Sequence, residues 1–357
     1  METSQAIQAY LAAVPKAELH VHLEGSIRPG TLLELARRNN FPLPASNEEE
    51  LRRWFIYRDF SHFIDIYFTI TQCLKTQEDF ELIAYEFGEE MHRQHVRYAE
   101  VTFSVSTHRA LGIDHDVYFA GLKRGRERAR RDFGVEMNWV FDIVRDIADE
   151  AERYRRADFT TRVAIECMHD GVVALGLGGN EVGYGPEQFS PWFEQALAAG
   201  LHSTPHAGEV DGPASVWGAL RTLGAERIGH GVRSSEDSAL VSHLAERQIP
   251  LEVCPGSNVC LGIYPHFAAH PLLLLYRAGV PLSVNSDDPP LFNITLNEDI
   301  ERLHSAFHLP LDEIDELILN GVRHSFLPRE RKLSMEAEFR AEMARLRAEL
   351  GLEAGKL

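Results

Sequence analysis

His20 and His22, separated by a single valine, are the first residues whose types and spacing suit chemistry. In a strand, positions i and i+2 share a face, so both imidazoles can address one metal ion. Taken alone, such a pair is as readily packed core. Three later stretches add reactive side chains: His206-Ala-Gly-Glu209, Gly229-His230-Gly231 and Asn285-Ser-Asp287-Asp288-Pro289. Neutral imidazoles from His20, His22 and His206, with one carboxylate from Asp287 or Asp288, make a donor set suited to Zn²⁺ or a similar divalent ion. A further position left to water marks such a site as catalytic, because zinc lowers the pKa of that water from about 15.7 to about 7. A core or capping role for His206 would leave the acid at Glu209 unexplained.

For these groups to meet, they must sit at one edge of one fold. In parallel α/β folds that edge is the carboxyl end of the strands. Short apolar stretches at 17–23, 98–105, 136–144, 172–177, 202–207, 227–232, 250–255 and 281–286 read as strands. Between them, 79–94, 118–132, 191–199, 214–223, 238–247 and 270–278 carry helical periodicity. This alternation predicts a closed parallel barrel or a doubly wound sheet. The reactive groups then fall at the strand ends. After the first strand comes an insertion, with lid helices expected at 41–75, whose aromatics include Trp54, Tyr57, Phe60, Phe63, Tyr67 and Phe68. Each aromatic singly reads as core; the cluster suits a cover over the first strand's end. Residues 297–357 read as C-terminal helices, the last amphipathic and charged. Binuclear barrel hydrolases bridge their metals with a lysine ending the fourth strand, and 172–181 has none, so one metal is expected. Gly178 and Gly179 there free the backbone to approach a ligand.

Together, Pro15-Lys-Ala-Glu-Leu-His20-Val-His22-Leu-Glu24-Gly-Ser26, His206-Ala-Gly-Glu209, Gly229-His230-Gly231, Val253-Cys-Pro-Gly-Ser-Asn258 and Asn285-Ser-Asp287-Asp288-Pro289 resemble the adenosine/adenine deaminase family. The resemblance spans nearly the whole chain. It implies a (β/α)8 TIM barrel, one Zn²⁺ per chain and hydrolytic replacement of a purine 6-amino group. The H-x-E and P-C-x-x-C signature of the other zinc deaminases is absent. By resemblance, His20, His22, His206 and Asp287 are the zinc ligands. Glu209 protonates purine N1, and His230 orients the attacking water and accepts its proton. Asp288 hydrogen-bonds N7, and the Gly179 amide meets N3. Glu24 stands where adenosine deaminases have an Asp that contacts the ribose 5′-hydroxyl, and Gly176-Leu-Gly-Gly-Asn180-Glu181 replaces the family's Asp-Leu-Ala-Gly-Asp-Glu. These departures point to an adenine nucleoside, adenosine or 6-aminodeoxyfutalosine, with free adenine as the alternative.

Composition sets the rest. Over 357 residues, 44% are hydrophobic and 25% charged, the balance of a soluble globular protein. Lys plus Arg is 36 and Asp plus Glu 54, so the formal charge is 36 − 54 = −18. That charge repels phosphate backbones and anionic lipid, so neither nucleic acid nor membrane is expected as partner. No apolar run nears the roughly 20 residues of a membrane helix. Met-Glu-Thr-Ser-Gln lacks a secretory signal's basic start, and cytoplasm is the expected compartment. The four cysteines form no disulfide framework. One barrel domain over 1–357 is expected, with a small-molecule purine as partner and a homo-oligomer left open. Two competing readings remain: a mononuclear hydrolase of esters, amides or phosphoesters, which gives Glu209 no clear task, and a non-catalytic relative, which would not need to keep Glu209, His230 and the ligands.

Overall fold

Residues rich in Val, Ile, Leu, Phe and Trp, buried on both faces, form parallel strands. The computed structural model describes residues 3–352, so the first two and last five residues of the expected domain lie outside it. Its eight strands are β1 (Lys16–His22), β2 (Val96–Phe103), β3 (Glu136–Val144), β4 (Val172–Gly178), β5 (His202–Ala207), β6 (Ile228–His230), β7 (Leu251–Val253) and β8 (Leu282–Val284). They neighbour one another in sequence order, all pairings parallel. Helices cross between them on the outside. The fold is a (β/α)8 barrel, which decides against the doubly wound alternative.

Between β8 and β1 the backbone ladder shrinks to one bridge at Val21 and Asp287. His22 N–H donates to Asp287 O at 2.9 Å, and Asp287 N–H to His20 O at 3.2 Å. Side chains complete the seam. Asn285 Oδ1 accepts from the Leu19 and His20 amides at 2.8 and 3.2 Å, and Glu18 Oε1 accepts from the Ser286 amide at 2.8 Å.

The last three strands are shorter than the sequence stretches that announce them. Gly231 turns left-handed directly after β6, and Pro255 begins a helix rather than extending β7 (Pro255–Cys260). In the insertion lie the helices Glu48–Trp54 and Phe60–Thr71, preceded by Pro29–Arg38. Asn47 and Asp59 cap the pair by accepting from the Glu50 and His62 amides. The C-terminal region forms Leu296–Ser305, Leu311–Arg323 and Arg329–Leu350; residues 353–357 of the expected 297–357 lie outside the described part. The last helix lays Met335, Phe339, Met343 and Leu346 on the body and turns its charged faces outward.

Candidate active site

The carboxyl ends of β1, β5 and β8 bring His20, His22, His206 and Asp287 together, one donor atom from each within 4.8 Å of the others. His22 Nε2 and His206 Nε2 face each other at 3.2 Å, and Asp287 Oδ1 lies 3.4 Å from His22 Nε2 and 3.6 Å from His20 Nε2. Two ring nitrogens so placed can share one proton or hold one cation between them. His20 Nε2 is buried with no hydrogen-bond partner. On the ring's other side, Nδ1 lies 2.8 Å from Glu252 Oε2. A carboxylate only accepts, so Nδ1 carries the hydrogen and Nε2 presents its lone pair to the cluster. Burial opposes ionisation of Glu252; the Arg227 guanidinium and His20 overcome it and hold the carboxyl down at about 2. The residues present fit a tetrahedral divalent ion of the zinc type. A second grouping, with His230 and Cys254, shares His20 and Asp287 and so overlaps the first.

Asp287 (φ +67°) and His230 (φ +58°) both adopt left-handed backbone, which non-glycine residues rarely do. At such positions strain persists where surrounding structure fixes it, commonly at functional sites. Ser257 Oγ donates to Asp287 Oδ2 at 2.6 Å, fixing the carboxylate.

Glu209 follows β5 on a short loop anchored by Glu181. The Glu181 carboxylate accepts from the Gly208, Glu209 and Val210 amides at 2.8, 2.8 and 2.9 Å and from Ser215 Oγ at 2.5 Å. Burial, then the Asp287 and Glu181 charges, push the Glu209 carboxyl well above the usual range. Its Oε2 lies 3.6 Å from His230 Nε2, and Asn258 Nδ2 donates to its Oε1 at 3.4 Å. A carboxylic acid therefore sits beside an imidazole, both facing the metal cluster.

The chain matches the adenosine deaminase family model over residues 15–341. It belongs to that family. Members are metal-dependent hydrolases of C–N bonds, and this chain is such an enzyme. It is 44% identical to an aminodeoxyfutalosine deaminase of Streptomyces coelicolor, an alignment covering 90% of this chain and 82% of the relative. The solved adenine deaminase of Arthrobacter aurescens is similar at TM-score 0.87 and 32% identity, covering 93% of this chain and all of that one. An amidohydrolase of Burkholderia ambifaria, solved with bound zinc, is similar at TM-score 0.88 and 26% identity, covering 99% and 97% of the two chains.

In this deaminase a cavity opens over the metal cluster. His22, His206, Glu209, His230, Asp287 and Asp288 line one end, and Gly179, Ser104, Asp142 and Asp146 line another side. Phe60, Phe63, Ile64, Tyr67 and Phe68 of the Phe60–Thr71 helix form a wall. Asp288 Oδ1 is buried without a partner, and a side chain at Gly25 would strike it, since a Cβ there would lie 1.6 Å away. Gly179 (φ +86°) keeps the backbone bare where a larger residue would strike Asp146.

Glu24 is fully buried and, like His20, is not among the residues lining the cavity. Its Oε1 accepts from the Ser104 amide at 3.1 Å and faces His108 Nε2 at 3.0 Å, while Tyr67 Oη donates to Oε2 at 3.2 Å. It therefore meets the cavity through Tyr67. Sequence reasoning missed Glu252, the loop-anchoring part of Glu181, and Asp142 with Ser104. The available signal was a charged residue inside an otherwise apolar strand, as in Leu251-Glu252-Val253.

Proposed function

We propose that this deaminase uses one zinc ion, held by His20, His22, His206 and Asp287, to replace the 6-amino group of an adenine nucleoside by oxygen, releasing ammonia. The substrate is 6-aminodeoxyfutalosine. The observation that carries this reading is the cavity's lining, which runs from the metal cluster past Gly179 to Ser104, Asp142 and the aromatic wall, beyond the residues assigned to the purine ring. The 44% identity to an aminodeoxyfutalosine deaminase supports it.

When bound, the zinc supplies a Lewis acid that lowers the pKa of the attacking water. Glu209, as an acid, donates its proton to purine N1, which makes C6 electrophilic. His230 orients the water, accepts its proton and can return it to the departing amine. Asp288 hydrogen-bonds N7, and the Gly179 amide meets N3. Glu24 acts on the sugar side by holding Tyr67. Among the described residues no Lys or Arg lines the cavity, so this reading requires the carboxylate of aminodeoxyfutalosine to reach solvent. No helix among the described residues is long and apolar enough to cross a membrane, and the cytoplasm is the proposed compartment.

Initial rates on adenine, adenosine, 2′-deoxyadenosine and 6-aminodeoxyfutalosine test the reading. kcat/KM should be highest for aminodeoxyfutalosine and higher for either nucleoside than for adenine. The reverse order by tenfold, about 1.4 kcal/mol, would make the enzyme an adenine deaminase.

A further inference from the structure

We propose that Asp142, oriented by Ser104, determines specificity by hydrogen-bonding the vicinal hydroxyls of the sugar on purine N9. This inference rests on the nucleoside reading above and adds the residue that recognises the sugar.

The barrel rim divides by function. The metal cluster, Glu209 and His230 come from β1, β5, β6 and β8, whereas Ser104 follows β2, Asp142 lies on β3 and Gly179 follows β4. A purine whose C6 and N1 face the metal and Glu209 directs its opposite edge, N3 and N9, toward the β2–β4 arc. The group on N9 therefore enters the part of the cavity lined by Ser104, Thr107, Asp142 and Asp146.

Asp142 is only 3% exposed, yet it lines this cavity and has no ion-pair partner among the described residues. Ser104 Oγ donates to its Oδ1 at 2.8 Å and is its one side-chain donor there. A buried carboxyl without a full set of partners is costly, and burial pushes it up to about 7, so it can donate as well as accept. Space for it is made by the neighbouring strand. A Cβ at Gly178 would lie 2.4 Å from Asp142 Oδ2, and one at Gly176 would lie 3.2 Å from its Cβ. Glu24, the other buried carboxylate on this side, is already occupied by Ser104 N, His108 and Tyr67, and Asp146 is only half-buried. Asp142 is thus the buried carboxyl with hydrogen-bonding capacity to spare. A vicinal diol offers two O–H donors and two acceptors to such a group.

The test compares adenosine with 2′,3′-dideoxyadenosine, in wild type and in Asp142→Ala, Asp142→Asn and Ser104→Ala, with zinc content measured in each. A site built around a substrate hydroxyl rejects the analogue lacking it strongly, so wild type should prefer adenosine by about 10²-fold or more in kcat/KM. Asp142→Ala should shrink that preference to within about threefold of unity, mainly through a raised KM for adenosine, at unchanged zinc content. Ser104→Ala should give an intermediate ratio. If Asp142→Ala does not fold, the isosteric Asp142→Asn carries the comparison and should also lower the ratio. A ratio in the variants equal to that of wild type overturns the assignment, as does a wild-type ratio near one. Wild type inactive on every purine would instead overturn the proposed function, and this inference with it, before any variant is compared.

Discussion

Glu209 and His20 lie close together but would fail differently. Glu209 touches no ligand directly, and its loop is held by Glu181, so Glu209→Gln should keep the metal and lose turnover by about 10²–10⁴-fold. His20→Ala should lose metal and activity together, because Nε2 is a donor to the cluster. Elemental analysis beside kinetics separates the two, with one zinc per chain expected in wild type and in Glu209→Gln. The meeting of these residues was legible in the sequence, because several reactive strand endings fall at one edge of one fold, although each alone is weak. The supporting carboxylates were not. Glu252 and Asp142 each read as one more polar residue, and what distinguishes them is the neighbour across the barrel: His20 in one case, Ser104 in the other. Glu24 shows the converse. Its position beside the motif was plain, but its engagement by Ser104, His108 and Tyr67 depends on segments distant in sequence.

Among the elements, all eight strands were readable from the sequence, but β6 to β8 are shorter than read, at three residues each. Glycine and proline beside them stop the ladder but do not disturb the apolar pattern. The Glu150–Glu166 helix lay outside the periodic segments, since its buried face is Arg153, Ala157, Thr160, Thr161, Val163 and Ala164 rather than large aliphatics. The loop after β5 depends on one side chain. Removing Glu181 leaves the Gly208, Glu209 and Val210 amides and the Ser215 hydroxyl without their acceptor. Buried donors left unpaired cost about 1–3 kcal/mol each, so Glu181→Ala should lower unfolding free energy by at least about 3 kcal/mol. It should also cut kcat by misplacing Glu209. Denaturant titration and kinetics on the same samples check both, with Glu181→Gln recovering part of each.

Across the whole molecule, burial sets how stability responds to pH. Asp299, fully buried in the first turn of the Leu296–Ser305 helix, is pushed up to about 8 by desolvation. Its carboxyl is ordinarily near 3.9 in an unfolded chain. The folded protein thus keeps a proton that the unfolded chain releases, and this contribution is complete below about pH 4 and fades as pH rises to 8. Asp299→Asn should flatten that decline, visible as melting temperatures that change less between pH 5 and pH 8 than in wild type. The barrel's closure leads to a different consequence. Asp287, which offers its carboxylate to the metal cluster, also supplies the single backbone bridge that joins the last strand to the first. A metal ion held there would therefore act as a clasp on the seam, beside the side-chain bonds of Asn285 and Glu18. Stripping it with a chelator should loosen the molecule unevenly. Deuterium uptake should accelerate at the His22 and Asp287 amides, while β2, β3 and β4, with their longer ladders, stay protected. Uniform acceleration around the ring, or none at the seam, would mean that the barrel stays shut without its metal.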